Sequence, residues 1–409
     1  MMQSALGWTV LSRDALRRAE THLRDQDEGV RDEIGFLALH QAYADRFFPG
    51  TSVLQTRLRY ILFVPWMYQS LAHKPSRSQP INHVVQKQEL DLAQRLKKRH
   101  GLSDGVIGAR SLPKPTSQPP TMIYWNALRT WRILRPQMDG TYPKRSAVHR
   151  SLTKQHLPNH LTDDDKSPLE ESSTFFVKLP PPPAEWNDKN HPLDFTIQPK
   201  EAEFIDQHLR NVHRMGMPKT PSLLACLVEH TVDLTNLVFP WAKPILNLVD
   251  KDEHEALLRA QQASALAAIG RAIYAALVER ICAEEDKRSI PDIHRANLRR
   301  VIRDYRGQAL RLDTEAVKLD AFYSLPSSLL DVLNTTQSWL KTKKDFSDLR
   351  DVYERAEVTR KGGRARLART LAGQERRKEW TPEEFPEATP LHYRWSNVQR
   401  LLDDLSNHG

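Results

Sequence analysis

Several residue groups in this chain have the types and spacings that chemistry requires. His156 and His160 lie four apart with Asp163-Asp164-Asp165 close behind, a set that could ligate a metal ion. Pro158 between them breaks the helix that would align the two rings, and a solvated loop is the other reading. Asp252-Glu253-His254-Glu255 only approximates the His-Glu-x-x-His metal helix. Asp292 behind Pro291, with further acids and Lys318 downstream, has the residue types of a metal-dependent nuclease. That chemistry needs an acidic pair and a lysine on neighbouring strands around a divalent ion, and the surroundings here read as helix. No Gly-x4-Gly-Lys loop, no Gly-x-Gly-x-x-Gly after a strand and no Gly-x-Ser-x-Gly elbow occurs. The expectation is a non-catalytic chain with no cofactor.

Binding residues are more evident. Phe48-Pro49-Gly50-Thr51-Ser52 reads as a tight turn between two helices, the second presenting Gln55, Thr56, Arg57 and Arg59 in its first turns. Such side chains meet phosphates or base edges in a helix-turn-helix; alternatively the arginines pair with Asp32, Glu33 or Asp45 in a plain helical hairpin. Residues 360–378 carry eight Lys or Arg against one acid, Glu375, and Gly362-Gly363 can serve as a hinge. Lys361, Arg364, Arg366, Arg369, Arg376 and Arg377 there could form a phosphate-binding patch or a solvated flexible segment. Lys97, Lys98 and Arg99 end a basic amphipathic helix, and 144–154 is basic as well. Trp380 and Tyr393-Arg394-Trp395 could stack on bases, or lie in a core.

Helical periodicity must position these groups. Apolar stripes predict helices at about 12–23, 31–48 and from Thr51 or Ser52 onward, with Pro65 kinking or ending the third. A helix over 84–100 should be capped by Gly101. Thr121–Leu134 reads as helix, and with the Gly-rich turn before it 76–135 is compatible with a small winged-helix-like unit. Residues 136–173 read as an exposed insertion, Phe175–Val177 as a short strand and Pro180–Pro183 as a stiff linker. Leu223–Val238 should be a buried helix, and Glu255–Glu285 the longest one, with Ala263, Ala267, Gly270 and Ala275 letting neighbours approach closely. Further helices are expected near 292–308, 313–323, 326–341, 344–357 and 396–405. The predicted class is mainly α and multi-domain: an N-terminal helical domain (1–75), the winged unit (76–135), the insertion and linker (136–183) and a C-terminal helical domain (184–409).

Composition sets outer limits. At 409 residues with 39% hydrophobic and 27% charged residues, the chain can bury real cores in more than one domain. Two cysteines, Cys226 and Cys282, exclude a disulfide framework and suggest free thiols in a reducing compartment. No signal peptide and no membrane-length apolar run is seen, so a cytoplasmic location without membrane contact is expected. A net charge of +9 permits nucleic acid as a partner.

Arg31-Asp32-Glu33-Ile34-Gly35, Tyr43-Ala44-Asp45-Arg46-Phe47-Phe48-Pro49-Gly50-Thr51-Ser52, Gln55-Thr56-Arg57-Leu58-Arg59-Tyr60 and Phe63-Val64-Pro65-Trp66 together resemble a bacterial family known as a numbered domain of unknown function. Ile123-Tyr124-Trp125 and Ser222-Leu223-Leu224-Ala225 extend the likeness. The resemblance implies a setting near anti-phage defence and DNA-modification genes, and carries over no catalytic residue. The expected function is a non-catalytic defence component that binds nucleic acid, DNA foremost. The alternatives are a scaffold or adaptor among other defence-system proteins, and a metal-dependent nuclease.

Overall fold

The computed structural model describes residues 32–73, 79–102, 104–155, 175–230, 232–234, 236–342 and 344–407. The helix expected at 12–23 and the His156/His160 group lie outside them. The fold is mainly α-helical. The first helices among the described residues are α1 (Phe36–Phe47) and α2 (Tyr60–His73). Between them the expected second helix does not start at Thr51. The Gln55 side chain donates to the Gly50 carbonyl and accepts from the Ser52 N–H, both at 3.1 Å, while Thr51 Oγ1 donates to the Phe48 carbonyl at 2.7 Å. These local bonds satisfy backbone groups that a helix would otherwise claim, so helix resumes only at Tyr60. Pro65 sits inside α2, which runs on past it to His73.

α3 (Ile81–His100) ends as expected at Gly101, whose φ of 68° suits glycine and whose N–H bonds the Lys97 carbonyl at 2.9 Å. The helix expected at 121–134 is two short pieces, α4 (Pro120–Ile123) and α5 (Trp125–Thr130), broken at Tyr124. The Tyr124 hydroxyl donates to the Arg57 carbonyl at 2.6 Å and accepts the Thr56 N–H at 3.1 Å. Among the described residues of 101–119 no strand pairing occurs. The Phe175–Val177 strand is a single bridge from Phe176 to Leu134. α6 (Arg145–Gln155) arises within the stretch expected to be exposed, and Val148 and Leu152 on it are fully buried.

Next come α7 (Pro199–Arg210), the antiparallel pair β1 (His213–Arg214) and β2 (Met217–Pro221), and α8 (Leu223–His230), which is buried but stops short of Val238. α9 (Lys243–Leu246) leads into the longest helix, α10 (Lys251–Glu284), 34 residues and so about 51 Å. α11 (His294–Ala309), α12 (Thr314–Asp320), α13 (Ser327–Trp339), α14 (Arg350–Lys361) and α16 (Trp395–Ser406) lie close to the spans that periodicity predicts, and α15 (Leu371–Lys378) forms in the basic segment, where no helix was expected.

The chain divides into two compact units. Among the described residues the larger comprises those of 41–260, 319–323 and 392–407; the smaller comprises those of 32–40, 261–318 and 324–391. An aromatic cluster fills the larger unit, with Tyr60 5.3 Å from Tyr124 and 5.4 Å from Phe195 between ring centroids. Tyr393 and Trp395 are buried there too, and Trp380 is buried in the smaller unit, so these rings serve cores. In the smaller unit, Ala263, Ala267 and Ala275 are buried on α10, and a Cβ at Gly270 would stand 2.5 Å from the Phe36 ring. Only glycine allows that approach. Cys226 and Cys282 are free, buried thiols. Among the described residues no helix is long and apolar enough to cross a membrane.

Candidate nucleic-acid interface

Sequence-predicted binding residues fare differently in the fold. Gln55 is fully buried and spent on its own loop. Arg57 bonds Asp404 and Asp104, each at 2.9 Å. Arg59 is buried, bidentate to Glu201 at 2.7 and 2.9 Å and bonded to Asp194 at 3.0 Å. Lys97 reaches the Ala109 carbonyl at 3.5 Å, Lys98 the Asn190 carbonyl at 3.3 Å, and the exposed Arg99 lies 3.5 Å from Asp194.

In the segment 360–378, acids meet almost every cation, most of them from elsewhere in the smaller unit. Arg360 pairs with Asp32, and Lys361 with Glu33 and Glu357. Arg366 pairs with Glu33 at 3.3 Å, Arg369 with Asp351 at 2.9 Å, and Arg376 with Glu379 at 2.9 Å. Lys378 pairs with Glu375, and the buried Arg377 is bidentate to Asp286 at 2.6 and 3.0 Å. Arg364 is exposed. Asp292, of the nuclease pattern, bonds Arg295 at 3.0 Å, and Lys318 bonds Glu315 at 2.7 Å. Among the described residues no three His, Cys, Asp or Glu are grouped to hold a metal ion.

A basic cleft forms instead on a helix that was expected but not singled out for binding, within the smaller unit. It encloses about 630 Å³. Its first wall is a stripe of α11. Positions 294, 298, 301 and 309 are buried, so the helix turns Arg295, Arg299, Ile302 and Arg306 together into the cleft. The second wall is the end of α13 and the turn after it, with Trp339, Leu340, Thr342, Lys344, Asp345 and Phe346.

Both walls are fixed by named bonds. Buried Glu279 on α10 takes the first N–H groups of α11: Oε1 accepts from Ile293 and His294 at 2.9 Å, Oε2 from Arg295 at 2.8 Å. A carboxylate there also complements the positive end of the helix dipole. At the other end Gln337 Nε2 donates to the Ala309 and Leu312 carbonyls at 3.1 and 2.7 Å, and Arg306 donates twice to the Leu340 carbonyl at 3.0 and 3.1 Å. Trp339 Nε1 donates to the Asp345 carbonyl at 3.2 Å, which sets the indole plane.

Four cations, Arg295, Arg299, Arg306 and Lys344, face two carboxylates, Asp292 and Asp345. Arg295 answers Asp292, and Arg280 answers Asp345 at 2.6 Å. Among the described residues Arg299 and Lys344 have no carboxylate within ion-pair distance, so positive charge remains at the rim. Leu298, Ile302, Leu340, Trp339 and Phe346 give an apolar lining, Leu298 and Leu340 buried and the others half-buried. The signal in the sequence was five arginines in one helix, at 295, 299, 300, 303 and 306. They are interleaved with apolar residues, and only the helical spacing of 295, 299 and 306 separates them from the rest.

A second basic concavity lies in the larger unit, lined by Lys144, Arg145, His149 and Arg150 on and beside α6. His149 there is held between the Tyr68 hydroxyl at 2.8 Å and Asn82 Oδ1 at 2.6 Å. Burial, aided by Arg145, pushes its pKa down to about 4, so it is a neutral, structural histidine.

No curated protein and no solved structure matches the chain. The family described as "Family of unknown function (DUF6361)" matches residues 3–408, and the chain belongs to that family.

Proposed function

We propose that the protein binds nucleic acid, DNA foremost, through the α11 cleft, as a non-catalytic component of a bacterial anti-phage defence system. The observation that carries the binding reading is the cleft's excess of cations over an apolar lining. Guanidinium groups suit phosphodiester oxygens because their fork matches two acceptors at once. The defence setting rests on the motif resemblance alone. In this reading Gln55, Arg57, Arg59 and Arg377 hold the fold, because their donors already have acceptors. Arg99 and Arg364 are exposed and serve as auxiliary phosphate contacts, while Lys98, Arg369 and Arg376 already bond the Asn190 carbonyl, Asp351 and Glu379.

Binding to labelled oligonucleotides across salt concentration tests the reading. Affinity should fall log-linearly with salt, and Arg299→Glu with Lys344→Glu should weaken binding about ten-fold or more. The double variant should also flatten the slope by roughly 0.7–0.9 for each phosphate it no longer neutralises. Affinity that is absent at low salt, or indifferent to salt, rejects the reading.

A scaffold or adaptor role is favoured by a different observation. Leu319, Phe322 and Tyr323 of the larger unit are 85%, 54% and 59% exposed in one short segment. Apolar residues clustered at a surface mark sites of protein association. Co-purification with neighbouring gene products, abolished in Leu319→Glu/Phe322→Ser, would support that role.

A further inference from the structure

We infer that the α11 cleft takes unpaired nucleotides, with a base against Trp339 and its flanking phosphates on Arg299 and Lys344; this deepens, and rests on, the nucleic-acid reading above. A duplex offers a protein its phosphates and the edges of its bases, while the ring faces stay inside the stack. A surface that reads duplex therefore needs a convex element to enter a groove. Here the arrangement is the reverse. Between a helix stripe and the turn after α13, Leu298 and Leu340 are buried and Ile302, Trp339 and Phe346 half-buried, while Arg299, Arg306 and Lys344 are exposed.

Only a base that has left the stack can bring a ring face to that apolar lining while its phosphates stay on the exposed cations. The volume, about 630 Å³, falls in the range of sites that enclose small organic groups. Trp339 is prepared for the contact. Its indole nitrogen is already bonded to the Asp345 carbonyl, so the ring keeps one orientation and loses little freedom on stacking. Arg306 is bonded to the Leu340 carbonyl and closes one end of the cleft.

The test compares three ligands on the whole chain at one salt concentration: oligothymidylate, a duplex of equal length, and an abasic strand with the same number of phosphates. Oligothymidylate should bind about ten-fold or more tightly than either of the others. Trp339→Ala should weaken oligothymidylate binding roughly five- to hundred-fold and leave the abasic strand unchanged, while Trp339→Phe keeps most of the affinity. The abasic comparison needs no variant, so it stands even where Trp339→Ala misfolds. Equal or tighter binding of the duplex or the abasic strand overturns the unpaired-base assignment and leaves the nucleic-acid reading in place. Binding of none of the three, at low salt, overturns both.

Discussion

Arg59 illustrates what this fold does with a charge whose position in the sequence suggests contact with DNA. It lies one residue before α2, and its guanidinium is held by Glu201 and Asp194. Those acids are more than a hundred residues away, and nothing around Arg59 announces them. The same holds for Arg57, whose partner is Asp404, and for Arg377, whose partner is Asp286. Residue type was legible in the sequence; whether a charge faces solvent depended on distant acids and was not. Another buried charge makes a testable case. Glu253 is fully buried, accepts from Arg46 at 2.7 Å through Oε2, and its Oε1 meets no donor among the described residues. Burial pushes its pKa up to about 7, against the pull of Arg46 and Arg214. A carboxyl raised in the folded state stabilises most below its unfolded pKa, about 4.3, and loses that contribution as pH rises toward 7. The melting temperature of the wild type relative to Glu253→Gln should therefore decline from pH 5 to pH 8. A constant difference across that range would show that Glu253 is ionised throughout.

At the scale of elements, the cleft depends on how α11 is anchored. Glu279 holds the first N–H groups of α11 and is itself fully buried on α10. Glu279→Ala leaves those donors without their acceptor, and should cost about 2–3 kcal/mol in chemical denaturation. It should also weaken nucleic-acid binding several-fold although residue 279 does not line the cleft. Unchanged affinity in a destabilised variant would show that the stripe needs no such anchor. Most helices were legible beforehand, because an apolar stripe of period 3.6 survives any tertiary context. The helix expected from Thr51 gives way where Gln55 bonds the backbone of its own loop, and the one expected across 121–134 breaks at Tyr124, whose hydroxyl is tied to the Arg57 backbone 67 residues away. Patterning counts apolar residues and does not register such bonds. The cleft was legible only as a helix near 292–308; that its arginines share a wall with Trp339 follows from packing.

For the whole molecule, the net charge of +9 proves a poor map of where cations are available. The segment 360–378 looks like its main source, yet acids from 32, 33, 286, 351, 354 and 357 are folded against it. The units are also interleaved along the chain, since the larger one is completed by 392–407. Its C-terminal residues are working parts: Asp404 bonds both the Arg57 side chain and the Leu58 N–H, and Asn397 bonds the Val53 and Gln55 carbonyls. A chain stopped after residue 393 should therefore leave 51–73 open to limited proteolysis, where the whole chain resists; equal resistance would mean the larger unit closes without α16. The same bond has a consequence during synthesis. Asp404 follows Arg57 by 347 residues. At ribosomal speeds of about 5–20 residues per second it emerges roughly 20–70 s later. Through that interval the loop at 51–58 waits without its partner, so the larger unit, most of whose chain is made before residue 261, is the one that closes last.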